Sequence, residues 1–481
     1  MINLLYIYDL TFFALFTLFV ILFLYKRRKK LQREGIIYVY RTKIGIKFID
    51  YVAKKFKRQF RWLQYVIVVT GYILMLIMLY LLGQMVYLYF KFPEVIKAVK
   101  VPPIMPLIPY LPEIFKVDFL PPLYFTYWII VIAIVATVHE FSHGFLSKFH
   151  GIKIKSTGFG FLGPVLAAFV EPDEKKLSKK KKISQISVLS AGSFANLITF
   201  IIFLLIFILF FELAYVSAGA IFNVYSFSEI DISSINTINN KAFFNPSAET
   251  ILENLNTEGN LTKIKAGNES YIIERNLFLE QEKTLNETNN IIYVYDDLPA
   301  VNAGLEGPVI EFNGQKIKNN DELSSEILKY KPGDEVEIKT KIEKEIKTYN
   351  VVLAENPAVK GKPYLGIGII KQERKGILGK LYSVISFFKD PATYYEPRIN
   401  FGLAVFIENL LWWIIVANIS LALFNMLPLG VFDGGRVFYL TALAIFKSEK
   451  KAEKAFRFIT YFILLIGLLM MLFWFYAMFL I

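Results

Sequence analysis

The sequence predicts a polytopic α-helical membrane protein with about six transmembrane helices and one α+β insert. Hydrophobic residues make up 55% of the 481-residue chain, and its mean hydropathy is +0.45. Apolar runs of about 20 residues recur along the chain, and such a run is long enough to cross a bilayer as a helix. One long segment, 216–401, instead alternates short β-rich stretches with Gly, Asn and Pro turns.

The positions of the basic residues predict the topology. Because KRRKK (26–30) follows the first apolar segment, we expect that segment to be an anchor whose C-terminal end is cytoplasmic. Alternation then places the insert 216–401 outside the cytoplasm. The basic stretches 175–182 and 447–457 fall on the inside. The six predicted spans are 4–25, 63–90, 122–147, 183–213, 402–427 and 456–480.

Charge and cysteine content exclude several classes of function. The net charge is +13, but fourteen Lys/Arg against two acids fall within 26–62, whereas 216–375 holds eighteen against twenty-four. This distribution follows the ends of the predicted spans, so nucleic acid is not an expected partner. The chain has no cysteine. Any metal must therefore be held by His, Asp or Glu.

The segment HEFSH (139–143) predicts a metal site near the cytoplasmic end of the third span. His139 and His143 are four residues apart, so they share one helix face and can reach one zinc ion. Glu140 lies beside them and can take a proton from a zinc-bound water. The alternative is that both histidines only form hydrogen bonds within the bundle. Ionisable groups in a spanning helix are costly, which favours the functional interpretation.

A carboxylate is the expected third ligand, since catalytic zinc usually keeps three protein ligands and one open position. Asp433, within FNMLPLGVFDGGRVF (424–438), lies at the cytoplasmic end of the fifth span, at a depth similar to that of the histidines. The alternative is an acid that caps a turn or helix. The sequence thus predicts one Zn²⁺ ion bound by His139, His143 and Asp433, within the bilayer and nearer its cytoplasmic face.

Part of the insert resembles a PDZ domain. Such domains bind extended peptide ends at a sheet edge, so the resemblance implies a peptide ligand. A β-rich spacer without a peptide partner is the alternative. Residues 238–265 align with 312–339, which predicts a second, degenerate PDZ-like module before the first. The residues that carry the resemblance are Pro299-Ala300, Ala303-Gly304-Leu305, Asn313-Gly314 and Pro332-Gly333-Asp334.

These motifs together resemble those of the site-2 proteases, which are intramembrane zinc metalloproteases. The family pairs His-Glu-x-x-His on one membrane helix with Asn-x-x-Pro and Leu-Asp-Gly on a later helix. Here these are HEFSH (139–143), NMLP (425–428) and FDG (432–434), and the likeness covers about residues 120–480. It implies a zinc metalloendopeptidase that cleaves transmembrane segments of membrane proteins, with the zinc-bound water activated by Glu140.

The resemblance also implies substrate-binding residues. The segment 158–174, which contains Gly163 and Phe169, is similar to a Gly-rich segment that forms a membrane-embedded β-hairpin in the family. The edge of that hairpin can pair with unwound substrate, whereas the alternative is a simple cytoplasmic loop. Asn196 and Asn425 would orient substrate amides or the oxyanion. Hydrogen bonding between helices is the alternative for both.

These interpretations divide the chain into five predicted regions in a multi-pass protein of the cell membrane. The expected partners are a substrate with a transmembrane segment, the lipid bilayer and a peptide ligand of the insert. A non-proteolytic receptor or chaperone that binds exported peptides through the insert is the alternative function. The regions are a two-helix membrane region with a basic cytoplasmic loop (1–121), the first half of the catalytic core (122–215), the degenerate PDZ-like module (216–289), the PDZ-like domain (290–375) and the second half of the core (376–481).

Overall fold

The chain forms two compact units, which are described separately. In this computed structural model, unit 1 comprises Met1–Phe211 and Gly402–Ile481, and unit 2 comprises Glu212–Phe401. The structure describes residues 4–35, 37–92, 102–115, 117, 120–162, 165–257, 261–283, 285, 288–342, 345–368 and 388–479.

Unit 1 is built on long apolar helices. Six helices of the described chain are long and apolar enough to cross a membrane, which confirms the predicted multi-pass architecture. They are α1 (Leu4–Arg27), α3 (Lys57–Lys91), α5 (Phe125–Phe149), α7 (Lys182–Ala214), α12 (Phe401–Phe424) and α14 (Glu449–Phe479). The shorter helices of this unit are α2 (Ile46–Lys55), α4 (Leu111–Ile114), α6 (Glu174–Ser178) and α13 (Asp433–Phe446).

The outer surfaces of these helices are apolar. Leu15, Phe19 and Leu22 of α1 are exposed, as are Leu465 and Leu468 of α14. Exposed leucine and phenylalanine along whole helices are unfavourable in water but suit contact with lipid tails. The exposed residues therefore agree with the membrane assignment made from hydropathy.

A four-stranded antiparallel sheet accompanies the helices of unit 1. The segment between α1 and α2 contributes the first two strands, and the segment after α5 contributes the last two, in the order β1-β2-β3-β4. Within the part of the chain that the structure describes, strand β4 therefore lies at one edge of the sheet and pairs with β3. The strands are β1 (Leu31–Glu34), β2 (Ile37–Thr42), β3 (Ile154–Leu162) and β4 (Val165–Pro172).

A buried carboxylate fixes the start of α5. Asp9 of α1 is only 6% exposed and accepts hydrogen bonds from the backbone N–H groups of Phe125 (2.7 Å) and Thr126 (2.9 Å). The hydroxyls of Tyr110 and Thr126 donate to the same carboxylate. The first N–H groups of a helix have no partner within the helix, so Asp9 acts as its cap from a neighbouring helix.

Unit 2 contains two β-sheets with short helices. The first sheet has the order β7-β12-β11-β10-β8-β9, and the second has the order β16-β15-β13-β5-β20, with β14 paired to β13. Two further pairs are β17-β18 and β19-β6. The strands are β5 (Tyr215–Ala220), β6 (Val224–Tyr225), β7 (Phe227–Asp231), β8 (Ile235–Ile238), β9 (Lys241–Ala242), β10 (Leu261–Ala266), β11 (Glu269–Glu274), β12 (Ile291–Asp296), β13 (Val309–Phe312), β14 (Gln315–Lys316), β15 (Glu335–Ile342), β16 (Glu345–Val352), β17 (Ala354–Asn356), β18 (Val359–Tyr364), β19 (Ile367–Gly368) and β20 (Thr393–Pro397), and the helices are α8 (Ala248–Asn254), α9 (Arg275–Glu282), α10 (Pro299–Asn302) and α11 (Asn320–Ile327).

The two sheets of unit 2 contain the same substructure twice. Strands β8 and β9, helix α8 and strands β10 and β11 follow one another as β13, β14, α11, β15 and β16 do. The pair β8–β10 and the pair β13–β15 also contain a register shift at equivalent residues. Each residue of the second set lies 74 positions after its counterpart: Ile238–Ile264, Thr237–Lys265 and Ile235–Ala266 match Phe312–Ile338, Glu311–Lys339 and Val309–Thr340.

One sequence expectation requires revision. The fifth span was expected at 402–427, but α12 ends at Phe424, and a further helix, α13, begins at Asp433 in the predicted cytoplasmic connection. In the sheet of this unit, Glu171 of β4 accepts hydrogen bonds from Ser156 of β3 (2.6 Å) and Arg41 of β2 (3.2 Å), so it links three neighbouring strands.

Candidate metal centre

Helix α5 brings three polar side chains to one place. His139 is buried and His143 is half-buried, one turn apart on the same face of the helix. Their rings meet edge to face, with centroids 4.8 Å apart. Glu140 is one position further round the helix, so its carboxylate lies beside this pair. The local helix alone therefore produces the arrangement that the HEFSH pattern predicts.

Asp433 reaches the histidines from the start of α13. The N–H of Gly434 donates to the carbonyl of Asn425 at 2.7 Å, which brings the two ends of the connection between α12 and α13 together. A Cβ at Gly434 would lie 2.6 Å from the carbonyl oxygen of Leu427, so only glycine fits here. The glycines after Asp433 thus allow the backbone approach that turns its carboxylate toward α5.

The three side chains form a set of ligand atoms of suitable size for zinc. Nε2 of His139 and Nε2 of His143 are 3.1 Å apart. Oδ2 of Asp433 is 3.6 Å from the first and 3.3 Å from the second. Ligand atoms about 2.0–2.1 Å from a tetrahedral ion lie about 3.4 Å from one another. The donor set, two imidazoles and one carboxylate, also matches the preference of zinc for N and O ligands.

A backbone carbonyl fixes the orientation of His143. Nδ1 of His143 lies 2.7 Å from the carbonyl oxygen of Val188 in α7. A carbonyl only accepts, so this contact requires the proton to be on Nδ1 and leaves the lone pair of Nε2 directed toward Asp433. Histidines that bind a metal through one ring nitrogen usually donate a hydrogen bond from the other ring nitrogen.

Asn196 gives His139 a matching second contact. The side-chain amide of Asn196 lies 3.1 Å from Nδ1 of His139 through Nδ2, while its Oδ1 is buried without a partner in the described structure. Rotating the amide by half a turn places Oδ1 beside Nδ1 of His139, where it accepts a hydrogen bond from the ring N–H. Nε2 of His139 then also presents its lone pair to the cluster.

One stripe of α7 supports both histidines. Val188, Gly192 and Asn196 follow one another at four-residue spacing, so they share a helix face. A Cβ at Gly192 would lie 2.6 Å from Nδ1 of His139, so the absence of a side chain makes room for the ring. The segment AGSFAN (191–196) therefore leaves space for the ring of His139 at Gly192 and provides a hydrogen bond one turn later at Asn196.

The amide of Asn425 also contacts the cluster. Its Nδ2 lies 3.2 Å from Nε2 of His139, so here the amide donates to the same lone pair that a metal ion would take. Asn418, seven residues earlier in α12, is buried and donates to the carbonyl of Ile414 in its own helix at 2.8 Å. Among the predicted polar groups of α12 and the following turn, Asn425 is the one beside the histidines.

Glu140 connects this cluster to the edge strand. Its Oε2 accepts a hydrogen bond from the backbone N–H of Val170 in β4 at 2.8 Å. Because β4 pairs with β3 on its other side, this N–H belongs to the unpaired edge. The carboxylate thus lies between the candidate ligands and the outer edge of β4, which pairs with no strand among the described residues.

The remaining predicted residues lie elsewhere. Phe169 is on the sheet face opposite to Val170, and its ring covers Gly158, where a Cβ would lie 2.8 Å from the ring. Gly163 lies outside the described residues. His150, the third histidine of the chain, is 3.0 Å from Oγ of Ser187 and is not part of the cluster.

Two features of this site had no signal in the sequence. The carbonyl of Val188 and the N–H of Val170 are backbone groups, so their residue types do not predict their roles. Gly192 did carry a signal, because Ala-Gly-Ser within a long apolar helix indicates close packing. What packs there could not be read from the sequence.

Comparisons with known proteins cover the same residues. The chain matches the family model described as Peptidase family M50 over residues 127–467, which includes both histidines, Glu140 and Asp433. A second similarity is to Uncharacterized protein MJ0971 of Methanocaldococcus jannaschii, with 45% identity over 73 residues. This second match spans 15% of the present chain and 20% of that relative.

Proposed function

The chain belongs to peptidase family M50, the site-2 protease family of zinc-dependent membrane metalloproteases, and on this premise we propose that it cleaves membrane-spanning segments of other proteins. The observation that carries the proposal is the cluster of His139, His143 and Asp433 beside Glu140. We propose these three side chains as ligands of one zinc ion and Glu140 as the general base.

The chemistry follows from what surrounds Glu140. A zinc ion held at this cluster supplies Lewis acidity, which lowers the pKa of a water molecule and polarises a peptide carbonyl. Glu140 accepts a proton at its carboxylate as the water oxygen attacks the carbonyl carbon. Glu140 then gives this proton to the nitrogen of the breaking C–N bond. The amine leaves, and the other fragment ends in a carboxylic acid.

Strand β4 supports a proposal for substrate binding. A helical substrate hides its peptide groups, so it must unwind before cleavage, and the freed groups need partners in lipid. Strand β2 already covers the other side of β3. An added peptide strand beside β4 would run past Val170 and so past the carboxylate of Glu140. Asn425, beside His139, is placed to orient a substrate amide.

Phe169 has a different proposed role from the one that the resemblance implies. Its ring lies over Gly158 and beneath the guanidinium of Arg41, which is 6.0 Å from the ring centroid. We propose that it stiffens the hairpin and does not touch substrate. Asn196 likewise is proposed to orient His139, because its amide is buried against that ring.

For unit 2 we propose two PDZ-like modules that arose by duplication. The shared pairings at a constant spacing of 74 residues, including the register shift, support this interpretation. The second module has a groove of about 440 Å³ between α11 and the chain around β19, lined by Leu323, Ile327 and Leu365 among others. We propose that this groove takes an extended peptide.

In the first module, a helix occupies the place that corresponds to the groove of the second module. Helix α9 packs there, with Phe278 in the core of the module. The side chain of Gln281 bonds both the N–H (2.6 Å) and the carbonyl (3.1 Å) of Tyr293 in β12. An amide in this position makes the same two bonds that a paired peptide would make. We therefore assign peptide binding to the second module and a structural role to the first.

The proposed placement in the membrane follows the charge distribution. The metal centre would lie within the bilayer toward the cytoplasmic face, and residues 216–401 would be extracytoplasmic. The basic stretches at 26–30, 175–182 and 447–457 support this orientation. A cysteine scan with an impermeant reagent tests it directly, because the chain has no native cysteine.

The proposed function is tested with two variants and two readouts. Glu140→Gln is expected to keep zinc and to lower cleavage of a membrane-embedded model substrate by about 10²–10⁴-fold. Asp433→Ala is expected to lose both zinc and cleavage. Glu174→Gln, which removes an exposed carboxylate, is the control. Normal cleavage by Glu140→Gln would remove Glu140 as the base, and wild-type zinc content in Asp433→Ala would remove Asp433 from the ligand set.

A non-proteolytic receptor is the second candidate, favoured only by the open groove of the second PDZ-like module. In that case a peptide ligand of the groove would bind normally while no substrate is cleaved by wild type. The three-ligand cluster argues against it, since structural zinc is usually closed by four protein ligands.

A further inference from the structure

The segment between the first two spans carries more positive charge than the protein itself neutralises. Residues 26–62 contain fourteen Lys/Arg and two acids. Both acids already have partners: Glu34 pairs with Arg41 at 2.5 Å, and Asp50 pairs with Lys148 at 2.7 Å. Among the described residues, Arg41 is the one basic residue of this segment with an ion pair, so most of this charge is available to a partner outside the protein.

Helix α2 gathers part of that charge on an amphipathic surface. Ile44, just before the helix, is 73% exposed, and Phe48 and Tyr51 are 52% and 56% exposed. Phe48 and Tyr51 are three residues apart and so share one face of the helix, and Ile44 adds an exposed apolar side chain just before the N-cap Gly45. Lys47 and Lys54, both exposed, lie beside these side chains. We call this surface, Ile44, Lys47, Phe48, Tyr51, Lys54 and Lys55, the outer face of α2.

The cationic and aromatic groups of the outer face are in contact. Nζ of Lys55 lies 5.3 Å from the ring centroid of Tyr51 and 5.7 Å from that of Phe56. Aromatic rings next to flexible lysines are the composition of helices that lie in the interface of an anionic membrane. Such a helix inserts its rings at headgroup level while the ammonium groups meet the phosphates.

The inner face of α2 packs against the back of the metal helix. Ile49 is fully buried, and a Cβ at Gly144, the residue after His143, would lie 2.9 Å from its Cδ1. Phe48, at the border between the outer and inner faces, is half-exposed and also contacts the rings of Phe141 and Phe145, with centroids 6.2 and 6.0 Å away. Helix α2 is thus supported on α5 along the face away from the ligands.

The same inner face reaches the edge strand. The side chains of Ile49, Ile154 and Val170 form one buried cluster. Since the N–H of Val170 donates to Glu140, α2 contacts both elements that hold this carboxylate. Movement of α2 away from α5 would therefore loosen Glu140 without touching any ligand atom.

We propose that the outer face of α2 binds the anionic headgroups of the bilayer surface and that this contact holds α2 against α5 and β4. The partner is a lipid surface because the outer face is apolar as well as basic, and because Lys57–Lys91, a candidate span, begins two residues after α2 ends. Nucleic acid would match the charge but leave Ile44, Phe48 and Tyr51 in water. The effect on cleavage, but not the lipid contact, rests on the proposed protease function.

The lipid contact is tested without any enzymatic assay. Because the chain has no cysteine, Ile44→Cys gives a single site for an environment-sensitive fluorophore in the full-length protein. We compare vesicles of neutral phosphatidylcholine with vesicles that contain about 30 mol% phosphatidylglycerol. The label is expected to shift to shorter wavelength and to be quenched by brominated lipid in the anionic vesicles, with the shift weakened by salt.

Charge-neutralised variants test whether the lysines of α2 cause the response of the label to anionic lipid. The triple variant Lys47→Gln/Lys54→Gln/Lys55→Gln is expected to bind the anionic lipid surface more weakly, with the affinity of α2 for that surface falling about fivefold per lysine removed. The matched control, Lys450→Gln/Lys451→Gln/Lys454→Gln, removes three exposed lysines at the start of α14 and is expected to leave it unchanged. Equal thermal transitions of the two triple variants show that both fold.

Three outcomes overturn the proposal. The first is equal label spectra in both kinds of vesicle, and the second is equal lipid dependence in the two triple variants. The third is a shift caused by soluble polyglutamate but not by anionic vesicles, which would assign the outer face to a protein partner.

Cleavage in the two lipid mixtures is a separate readout. Anionic lipid is expected to raise it at least threefold in wild type and not in the α2 triple variant. Absence of cleavage under every condition would contradict the protease function while leaving the label result valid.

Discussion

The carboxylate of Glu140 accepts a hydrogen bond from the backbone N–H of Val170 at 2.8 Å, so the proposed base and the unpaired strand edge are in direct contact. Substrate pairing with β4 and proton transfer at Glu140 would therefore take place within one hydrogen bond of each other. Because Val170 is also packed against Ile49, the position of this edge depends on α2 as well as on β3.

The edge-pairing proposal predicts the effect of a proline in β4. Since the N–H of Val170 points away from β3, alternation places the N–H of Ala168 on the same free side. Ala168→Pro removes that donor while leaving the bonds to β3. Cleavage is expected to fall about tenfold, the value of one lost hydrogen bond, with zinc content unchanged. Ala168→Val, which keeps the N–H and adds bulk, is the control, and equal cleavage by the two variants would contradict substrate pairing here.

Asn196 is predicted to control metal affinity. Its amide is the partner of Nδ1 of His139 and so selects the tautomer that presents Nε2. Asn196→Ala is expected to weaken zinc binding by about 10–100-fold, whereas Asn196→Asp, which keeps an acceptor, is expected to retain most of it. Titration against a zinc chelator measures both. Asn418→Ala removes another buried asparagine of the bundle that bonds only within its own helix, and an equal loss of affinity in this control would show a general packing effect.

Asp9 is predicted to stabilise the membrane core from outside the catalytic region. Asp9→Ala leaves the N–H groups of Phe125 and Thr126 buried without a partner. Their lost bonds are expected to lower the free energy of unfolding by about 2–3 kcal/mol. Thermal unfolding in detergent measures this. Thr11→Ala, whose hydroxyl bonds only the carbonyl of Ile7 in the same helix, is the control, and matching transitions for the two variants would rule out a capping role for Asp9.

Unit 2 contains an ion pair with a predictable pH dependence. Burial raises the pKa of Asp297, but hydrogen bonds from Lys263 and Asn302 outweigh burial, so the pKa lies below its ordinary value. The folded state thus binds the proton less readily than the unfolded state. Its stabilising effect is present above about pH 4, the ordinary Asp range, and is lost as the pH falls through the lowered pKa.

This dependence is measured as the difference in melting temperature between wild type and Asp297→Asn. We expect a difference at pH 6–7 that shrinks as the pH falls below about 4. Asp321→Asn changes an exposed aspartate at the start of α11 and is expected to show no such trend. A difference that stays constant down to pH 2–3 would show that the ion pair is not the cause.

The sequence alone predicted the candidate ligands, which stay a prediction, and the multi-pass membrane architecture, which the helices of the structure confirm. Histidines at i and i+4 share a helix face whatever surrounds them, so the HEFSH pattern already places two imidazoles together. Length and hydropathy fix the six spans in the same local way. The internal repeat was visible as well, because turns such as Asn239-Asn240 and Asn313-Gly314 need residues that tolerate positive φ.

Only the tertiary structure decided which groups support those residues. The contacts of His143 with the carbonyl of Val188, and of Glu140 with the N–H of Val170, use backbone atoms that every residue type possesses. Likewise, nothing in the basic composition of 26–62 showed that α2 would pack on α5 or that β2 would cover β3. Local spacing determines which side chains share a face, whereas the partner of that face is set by packing between segments far apart in the chain.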